Sequence, residues 1–339
     1  MFAVYTTALI ALAGGSTNKA GTTREPFITG VTVSCPGHGR IWGSPLFSSA
    51  IEDIKQLGAQ WVAIHPYARV LRDGTIQFTP AEETGFLAEA VARARQGRMH
   101  LFWKPHLAYW GSFEWRGAID FGENRADWER FFDGYERFIV DQAKFAARHR
   151  LPLLSVGIEY KATHRWEHRW RRIIEAVRQV YPGKITYAAN WDEVHVVPFW
   201  DVLDYIGVQA YFPLSDQDRP SPAELREGWD RYVATLVDLS KRNRDMPIIF
   251  TEIGYARSRI AAKKPWEPEF DTTNEAIQLR RTLMDLALSR VSRTPQIHGM
   301  FWWKWLPGSN RFPFDERDFS LKDPEAREAL TKAWKTRTN

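Results

Sequence analysis

The chain has 339 residues, 44% of them apolar and 26% charged, which suits one large globular α/β barrel or two smaller domains. The net charge of +5 is small and Lys and Arg are spread along the chain, which argues against a nucleic-acid partner. No apolar run approaches the roughly 18 residues of a membrane-spanning helix, so a membrane span is not expected.

Residues 1–25 are predicted to form a flexible N-terminal segment or a weak export signal. A short apolar run at residues 8–13 ends in small residues, but the start amine is the only positive charge before it. The location therefore stays open: secreted or periplasmic if the signal is real, and cytoplasmic otherwise. Residues 26–339 are predicted to form one catalytic domain, because they contain no internal repeat and no low-complexity linker.

From residue 28 onward, short apolar runs alternate with longer segments of helical periodicity. The predicted strand and helix of each unit are 28–34 and 45–57, 61–67 and 81–96, 100–107 and 125–148, 153–160 and 168–181, 184–191 and an irregular or short helical connection at 197–203, 205–211 and 222–242, 247–255 and 273–291, and 297–305 and 323–335. Eight such units close most economically into a single (β/α)8 TIM barrel of the α/β class. An open doubly wound sheet is the alternative, but residues 35–40 lack the glycine spacing of a phosphate-binding turn.

Polar, acidic and aromatic side chains are concentrated where the predicted strands end, which is where TIM barrels carry their active sites. Glu159 and Glu252 each follow an apolar strand, the fourth and the seventh, and are predicted to face each other at the barrel mouth. Two carboxyl groups in different environments can divide acid and base work, as glycoside hydrolysis requires. Each glutamate could instead pair with a basic neighbour such as Lys104, and Asp192 and Glu193 are competing carboxylates.

Several segments resemble one known family. They are Trp61-Val-Ala-Ile-His-Pro-Tyr67, Tyr187-Ala-Ala-Asn-Trp-Asp192, Gln209-Ala-Tyr-Phe-Pro-Leu214, Phe250-Thr-Glu-Ile-Gly-Tyr255 and Phe301-Trp-Trp-Lys-Trp305. Together they look like glycoside hydrolase family 113, a clan A family of retaining TIM-barrel enzymes whose characterised members are β-mannanases.

The resemblance implies a role for each matching residue. Glu159 would be the general acid/base, Glu252 the nucleophile, Tyr211 the residue that orients the nucleophile, and Trp303 the floor beneath the sugar being cleaved. Many clan A enzymes have Asn directly before the acid/base, where it holds the sugar 2-hydroxyl, whereas this chain has Ile158. That contact would have to come from Asn190 or His106, or the preferred sugar would carry an axial 2-hydroxyl, as mannose does.

The sixteen tryptophans also favour a carbohydrate ligand, because indole rings offer flat apolar faces to sugar rings. Trp103 is expected in the core. The predicted substrate-binding residues are Tyr67, Lys104, His106, Trp110, Trp115, Asn190, Trp191, Tyr211 and Trp303.

The sequence thus predicts a retaining hydrolase of a β-linked polysaccharide or oligosaccharide, of the endo-β-1,4-mannanase type, that needs no metal or other cofactor. Two alternatives remain. One is a metal-dependent hydrolase, because His164-Arg-Trp-Glu-His168 matches an H-x-x-E-H motif, although no third ligand is evident. The other is a carbohydrate-binding barrel without catalysis. The exact glycan and its chain length, endo versus exo action and the oligomeric state stay open.

Overall fold

The computed structural model of the chain describes residues 26–35, 38–308 and 319–335, so the predicted N-terminal segment lies outside the described residues. The strands of the described part are β1 (Ile28–Val33), β2 (Trp61–Ile64), β3 (Tyr67–Val70), β4 (Ile76–Gln77), β5 (His100–Trp103), β6 (His106–Ala108), β7 (Leu153–Ile158), β8 (Lys184–Asn190), β9 (Tyr205–Gln209), β10 (Ile248–Ile253) and β11 (Ile297–Trp305).

Eight of these strands close into a barrel in the order β1, β2, β5, β7, β8, β9, β10, β11, and each pair of neighbours is parallel. The strands are almost wholly buried, as expected where helices cover the outside of a parallel barrel. The predicted (β/α)8 barrel is therefore confirmed.

The α-helices of the described residues are α1 (Pro45–Gln56), α2 (Gly85–Gln96), α3 (Arg125–Arg148), α4 (Glu167–Val180), α5 (Pro222–Arg242), α6 (Asn274–Arg293) and α7 (Pro324–Lys335). Their starts follow ordinary capping chemistry. Ser221 and Glu224 form a capping box at α5, and the Thr273 side chain accepts a hydrogen bond from the backbone N–H of Ala276 at α6. Between β8 and β9 the chain forms two short 3-10 turns, as the predicted irregular connection suggested. In the described ranges, we find no helix that combines the length and the apolar character needed to cross a bilayer.

Two of the predicted strands were wrong, because part of each belongs to a small second sheet with strand order β4, β3, β6. The runs 61–67 and 100–107 were each expected to be one strand, but each is divided, at His65-Pro66 and at Lys104-Pro105. Proline has no N–H to donate to a ladder, so the barrel strand ends there and the chain starts a new pairing. Similarly, the predicted helix 81–96 is a 3-10 turn at Ala81–Glu83 followed by α2.

The interior of the barrel below the mouth is filled by a separate apolar cluster. Its buried members are Ile28, Ala63, Phe102, Leu153, Tyr205, Ile249 and Phe301. They come from seven of the eight barrel strands, so side chains converge on the barrel axis and leave no pore. Gly30 is needed here, because a Cβ at this position would lie 2.3 Å from the ring of Phe301. This packed floor confines any ligand to the cleft above it.

Candidate active site

The carboxyl ends of the barrel strands surround a cleft of about 540 Å³. Glu159, directly after β7, and Glu252, in β10, both line it, on the fourth and seventh barrel strands as expected. The other lining residues are Trp115, Arg116, Asn190, Trp191, Asp192, Tyr211, Trp266, Trp303 and Phe319. The structure thus brings the two predicted glutamates together in one sugar-sized space.

Glu159 is held in an unusual backbone conformation. Its φ of +53° lies in the left-handed region, which non-glycine residues seldom adopt and which is often found at functional sites. Its backbone N–H donates to the carbonyl of Ala188 at 2.9 Å, and its own carbonyl accepts from the N–H of Lys161 at 3.0 Å. These bonds fix the point where the chain leaves β7, and they direct the carboxyl group to the cleft.

The surroundings of Glu159 favour its protonated form. Burial raises its pKa, and the nearby carboxylate of Glu252 adds to this effect. Arg116 opposes the shift, since its Nε lies 3.4 Å from Oε2 of Glu159, and Lys104 and the side-chain amide of Gln209 also oppose it. The pKa is nevertheless raised, so Glu159 is suited to carry and donate a proton.

Glu252 is only 4% exposed, and both of its carboxylate oxygens accept hydrogen bonds. Lys104 donates from Nζ to Oε1, and the Tyr211 hydroxyl donates to Oε2 at 3.1 Å. Lys104 also donates to the backbone carbonyl of Thr251 at 3.2 Å, which fixes its ammonium group beside the strand. A carboxylate flanked by a cation and a hydroxyl donor is fixed in direction and acts as an acceptor only.

The sequence left open whether Lys104 binds substrate or pairs with a glutamate, and the structure shows the pair. The Lys104 side chain is fully buried and does not line the cleft, and burial lowers its pKa against the opposing effect of Glu252. In the described structure Lys104 therefore contacts the carboxylate rather than the space where a sugar would lie. Tyr211, predicted to orient the nucleophile, lines the cleft and makes the expected contact with Glu252.

Aromatic rings form much of the cleft wall. Trp303 of β11 lines it, and Trp115 stands on the loop between β6 and α3 with 40% of its surface exposed. Trp191, after β8, lies parallel to Trp266 with ring centroids 6.0 Å apart. Of the tryptophans predicted to bind substrate, Trp115, Trp191 and Trp303 thus lie at the cleft, whereas Trp110 is 58% exposed and is not among its lining residues. Trp103 is fully buried in the core, as expected.

Tyr67 and His106 are also not among the lining residues of the cleft, and Tyr67 instead lines a separate cavity of about 430 Å³. Tyr67 contacts the rings of His65, His106 and Trp110. His106 is buried and stacks on His65 with ring centroids 4.7 Å apart, and His65 in turn lies beside Trp303. Burial, followed by nearby positive charge, lowers the pKa of both histidines, so both rings are neutral. His65 thus connects the rings of Tyr67 and His106 to Trp303 of the cleft wall.

The two competing carboxylates differ in position. Asp192 lines the cleft, so it stays a candidate for sugar binding. Glu193 is buried away from it, and its Oε1 lies 2.6 Å from Nζ of Lys161. Burial raises the pKa of Glu193, an effect that Lys161 opposes. The structure therefore assigns Glu193 an ion pair outside the cleft.

His164 and His168 lie in different environments. His164 is buried in the 3-10 segment Lys161–Arg165, where Nε2 lies 3.0 Å from the Tyr187 hydroxyl, and burial lowers its pKa to about 4. His168 is exposed on α4. Across residues 26–35, 38–308 and 319–335, no group of three His, Cys, Asp or Glu side chains is arranged to hold a metal ion.

For the sugar 2-hydroxyl, the two proposed donors are placed differently. Asn190 ends β8 and lines the cleft half-buried, so its amide can reach a ligand there, whereas His106 is buried and is not among the lining residues. Ile158, in the position that is Asn in many clan A enzymes, is completely buried.

Sequence reasoning missed Arg116, Trp266 and Gln209. Arg116 begins a short 3-10 turn in the connection between β6 and α3, and Trp266 lies on the loop between β10 and α6. Both are far in sequence from the residues they meet, and nothing in a single sequence places such connections over a barrel. Gln209 was noted only as a strand end. Its Oε1 accepts from the Thr251 hydroxyl at 2.8 Å, which ties β9 to the strand that carries Glu252.

Comparison with known proteins identifies the family and the fold of the chain. The model of glycoside hydrolase family 113 matches residues 32–317. A solved structure described as a complex of a family 113 β-1,4-mannanase superposes with a TM-score of 0.80, at 19% identity over 92% of this chain and 99% of that one. The family 113 β-mannanase AaManA from Alicyclobacillus acidocaldarius, in complex with ManMIm, gives a TM-score of 0.77 at 20% identity, over 92% and 98%.

A more distant likeness is to an exo-β-1,4-mannosidase from Opitutaceae bacterium strain TAV5, with a TM-score of 0.61 at 15% identity, over 92% of this chain and 60% of that one. At these identities the three structures show a shared fold. No match was found among curated proteins.

Proposed function

Because the chain belongs to glycoside hydrolase family 113, we propose that it is an endo-acting β-1,4-mannanase that cleaves its substrate with retention of anomeric configuration. The observation that carries the proposal is that Glu159 and Glu252 line one cleft in contrasting environments. One carboxyl group has a raised pKa, and the other is held between an ammonium group and a hydroxyl donor.

In the first step, the Glu252 carboxylate attacks the anomeric carbon and the glycosidic C–O bond breaks. Glu159 gives its proton to the departing oxygen, so the leaving group departs as a neutral alcohol. The product of this step is a glycosyl ester on Glu252, and Glu159 is now ionised.

In the second step, ionised Glu159 takes a proton from a water molecule whose oxygen attacks the same anomeric carbon. The bond to Glu252 breaks, the carboxylate is restored, and Glu159 is protonated again. Two inversions give net retention. This mechanism requires the two carboxyl groups to be about 5–5.5 Å apart when substrate is bound.

Arg116 suits this cycle because its positive charge lies beside Glu159. Burial makes Glu159 hold a proton before the first step, and the guanidinium stabilises the carboxylate that the first step leaves behind. In the same way, Lys104 and Tyr211 stabilise the negative charge of Glu252 whenever the carboxylate is free.

A mannan-type substrate is supported by three observations. The two structures that superpose best among those described above are described as a β-1,4-mannanase and a β-mannanase. Trp303 provides a flat apolar surface in the cleft, and Ile158 replaces the asparagine that in many clan A enzymes holds the 2-hydroxyl. Asn190 lines the cleft, so its amide is the group that we propose holds the axial 2-hydroxyl of mannose.

The test is to incubate the protein with β-mannan, glucomannan, xylan and β-glucan oligosaccharides and to follow the anomers of the first products by NMR. We expect cleavage of the mannan substrates at internal bonds, with the β-anomer appearing first. Release of the α-anomer first would overturn retention, and cleavage of xylan or β-glucan alone would overturn the substrate assignment.

A further inference from the structure

Trp266 is carried by an anchored loop between β10 and α6. The backbone N–H of Asp271 donates to the carbonyl of Arg257 at 2.7 Å, which closes residues 257–271 into an Ω-type loop. Within it, the Ser258 hydroxyl donates to Glu269 at 2.8 Å. The carbonyl of Ala262 accepts the backbone N–H of Leu214 at 2.7 Å, which fixes the loop to the segment after β9.

This loop presents an exposed indole at the cleft. Trp266 is 42% exposed and lines the same cleft as the two glutamates. Exposed aromatic surface in a cleft has a solvation cost and commonly marks a ligand site. Its position is well defined, because its ring is parallel to that of Trp191, within 17°, at a centroid distance of 6.0 Å.

Trp191 is itself supported from behind. Its ring contacts the Tyr232 ring of α5 edge-on at 5.8 Å, and it packs against the apolar cluster that includes Tyr211. Trp191 is half-buried, whereas Trp266 is the outermost ring of the series. The three rings therefore form a layered support that ends in a solvent-exposed indole at the cleft.

We propose that Trp191 and Trp266 together form a platform for one pyranose ring of the glycan, outside the sugar whose bond is cleaved. The inference rests on the proposed function for the identity of the glycan, since it extends the same cleft. A pyranose in a β-1,4-linked chain offers an apolar C–H face that matches an indole in size and polarity. The platform therefore determines how strongly long chains bind.

Binding is best measured without turnover, by titration calorimetry of β-1,4-mannohexaose into Glu252→Gln. The test variant adds Trp266→Ala, and the matched control adds Trp266→Phe, which keeps an aromatic face. We expect the association constant to fall about ten-fold with alanine, which corresponds to about 1.4 kcal/mol. With phenylalanine it should fall less than three-fold. Val196→Ala, at a surface position that is 66% exposed and away from the cleft lining, should leave binding unchanged.

An association constant for the alanine variant within two-fold of that of its parent would overturn the platform, as would an absence of hexaose binding to Glu252→Gln. The same holds if alanine and phenylalanine reduce binding equally. Cleavage by the unsubstituted enzyme is a separate measurement. If hexaose binds through Trp266 but is not hydrolysed, the platform stands and the hydrolase proposal fails.

Discussion

The buried Lys104–Glu252 pair allows a quantitative test of how the cleft is organised. Lys104→Met keeps a side chain of similar length but removes the only ammonium group that contacts Glu252 in the described structure. The carboxyl group then stands without its counter-charge in a site where it is 4% exposed. A buried charge without its partner is costly, so the folded protein should lose stability, and the carboxylate loses the contact that holds its Oε1 in place.

Two general magnitudes set the expected cost of breaking the pair. Coulomb's law gives about 4 kcal/mol for unit charges about 4 Å apart at an effective dielectric constant of about 20. Removing one partner of a buried pair typically costs about 3–5 kcal/mol, which agrees with this figure. We therefore expect Lys104→Met to lower the free energy of unfolding by about 3–5 kcal/mol. Lys55→Met breaks an exposed pair with Glu52 and should cost less than about 1 kcal/mol.

The assay is a double-mutant cycle with Lys104→Met, Glu252→Gln and the combined variant. Urea unfolding is followed by tryptophan fluorescence and far-ultraviolet circular dichroism. Removing both charges leaves no unpaired one, so the combined variant should be more stable than additivity predicts, by about 3 kcal/mol. Additivity within about 0.5 kcal/mol would refute the argument that the pair holds Glu252 in place.

Three further predictions concern the same cleft. Arg116→Leu removes a positive charge that lowers the pKa of Glu159, so the pKa of Glu159 should rise further. Because the general acid must be protonated, the alkaline limb of the kcat/KM profile should move to higher pH. An alkaline limb that stays in place or moves to lower pH would contradict the assignment of Glu159 as the acid. Tyr211→Phe removes a hydrogen bond to a charged carboxylate, so kcat/KM should fall about ten- to a hundred-fold while the melting temperature stays nearly unchanged. An undiminished kcat/KM would contradict the orienting role of Tyr211. Gly157→Ala would place a Cβ 2.6 Å from the Tyr187 ring and 2.7 Å from Trp170, so urea unfolding should show a loss of about 1–3 kcal/mol, and unchanged stability contradicts the tight packing below Glu159.

The barrel could be predicted because each barrel strand is an apolar run bounded by turn residues, and eight such runs alternate with helical segments. Glu159 and Glu252 could be located for the same reason, since each stands at the end of such a run. The two glutamates come together because closure of the sheet brings the carboxyl ends of the fourth and seventh barrel strands to the same mouth.

The small second sheet was not predicted, although Pro66 and Pro105 carried the signal. Each proline ends a barrel strand, and the residues beyond it pair with each other, as Tyr67 does with His106. Along one continuous strand at 100–107, side chains two residues apart such as Lys104 and His106 would lie on a common face. The break at Pro105 sends them to different places, Lys104 to Glu252 and His106 to the stack with His65.

The contacts made by residues in the loops could not be predicted from the sequence, for a different reason. Arg116 meets Glu159, and Trp266 meets Trp191, across loops whose paths are set by hydrogen bonds such as that between Leu214 and Ala262. These bonds join residues far apart in sequence and leave no periodic pattern. The pKa of Glu159 was likewise unpredictable, because it depends on burial and on four neighbours from four separate segments.

The central claim is that Glu252 forms a covalent bond to the sugar while Glu159 handles the proton. It is tested most directly by incubating the enzyme with 2-deoxy-2-fluoro-β-mannosyl fluoride, digesting it, and mapping the labelled residue by mass spectrometry. The fluorine at C2 slows the second step more than the activated first step, so the glycosyl-enzyme accumulates. The account predicts a single label on Glu252, absent from Glu252→Gln. A label on Glu159 or Asp192, or an unlabelled enzyme that still hydrolyses mannan, would contradict it.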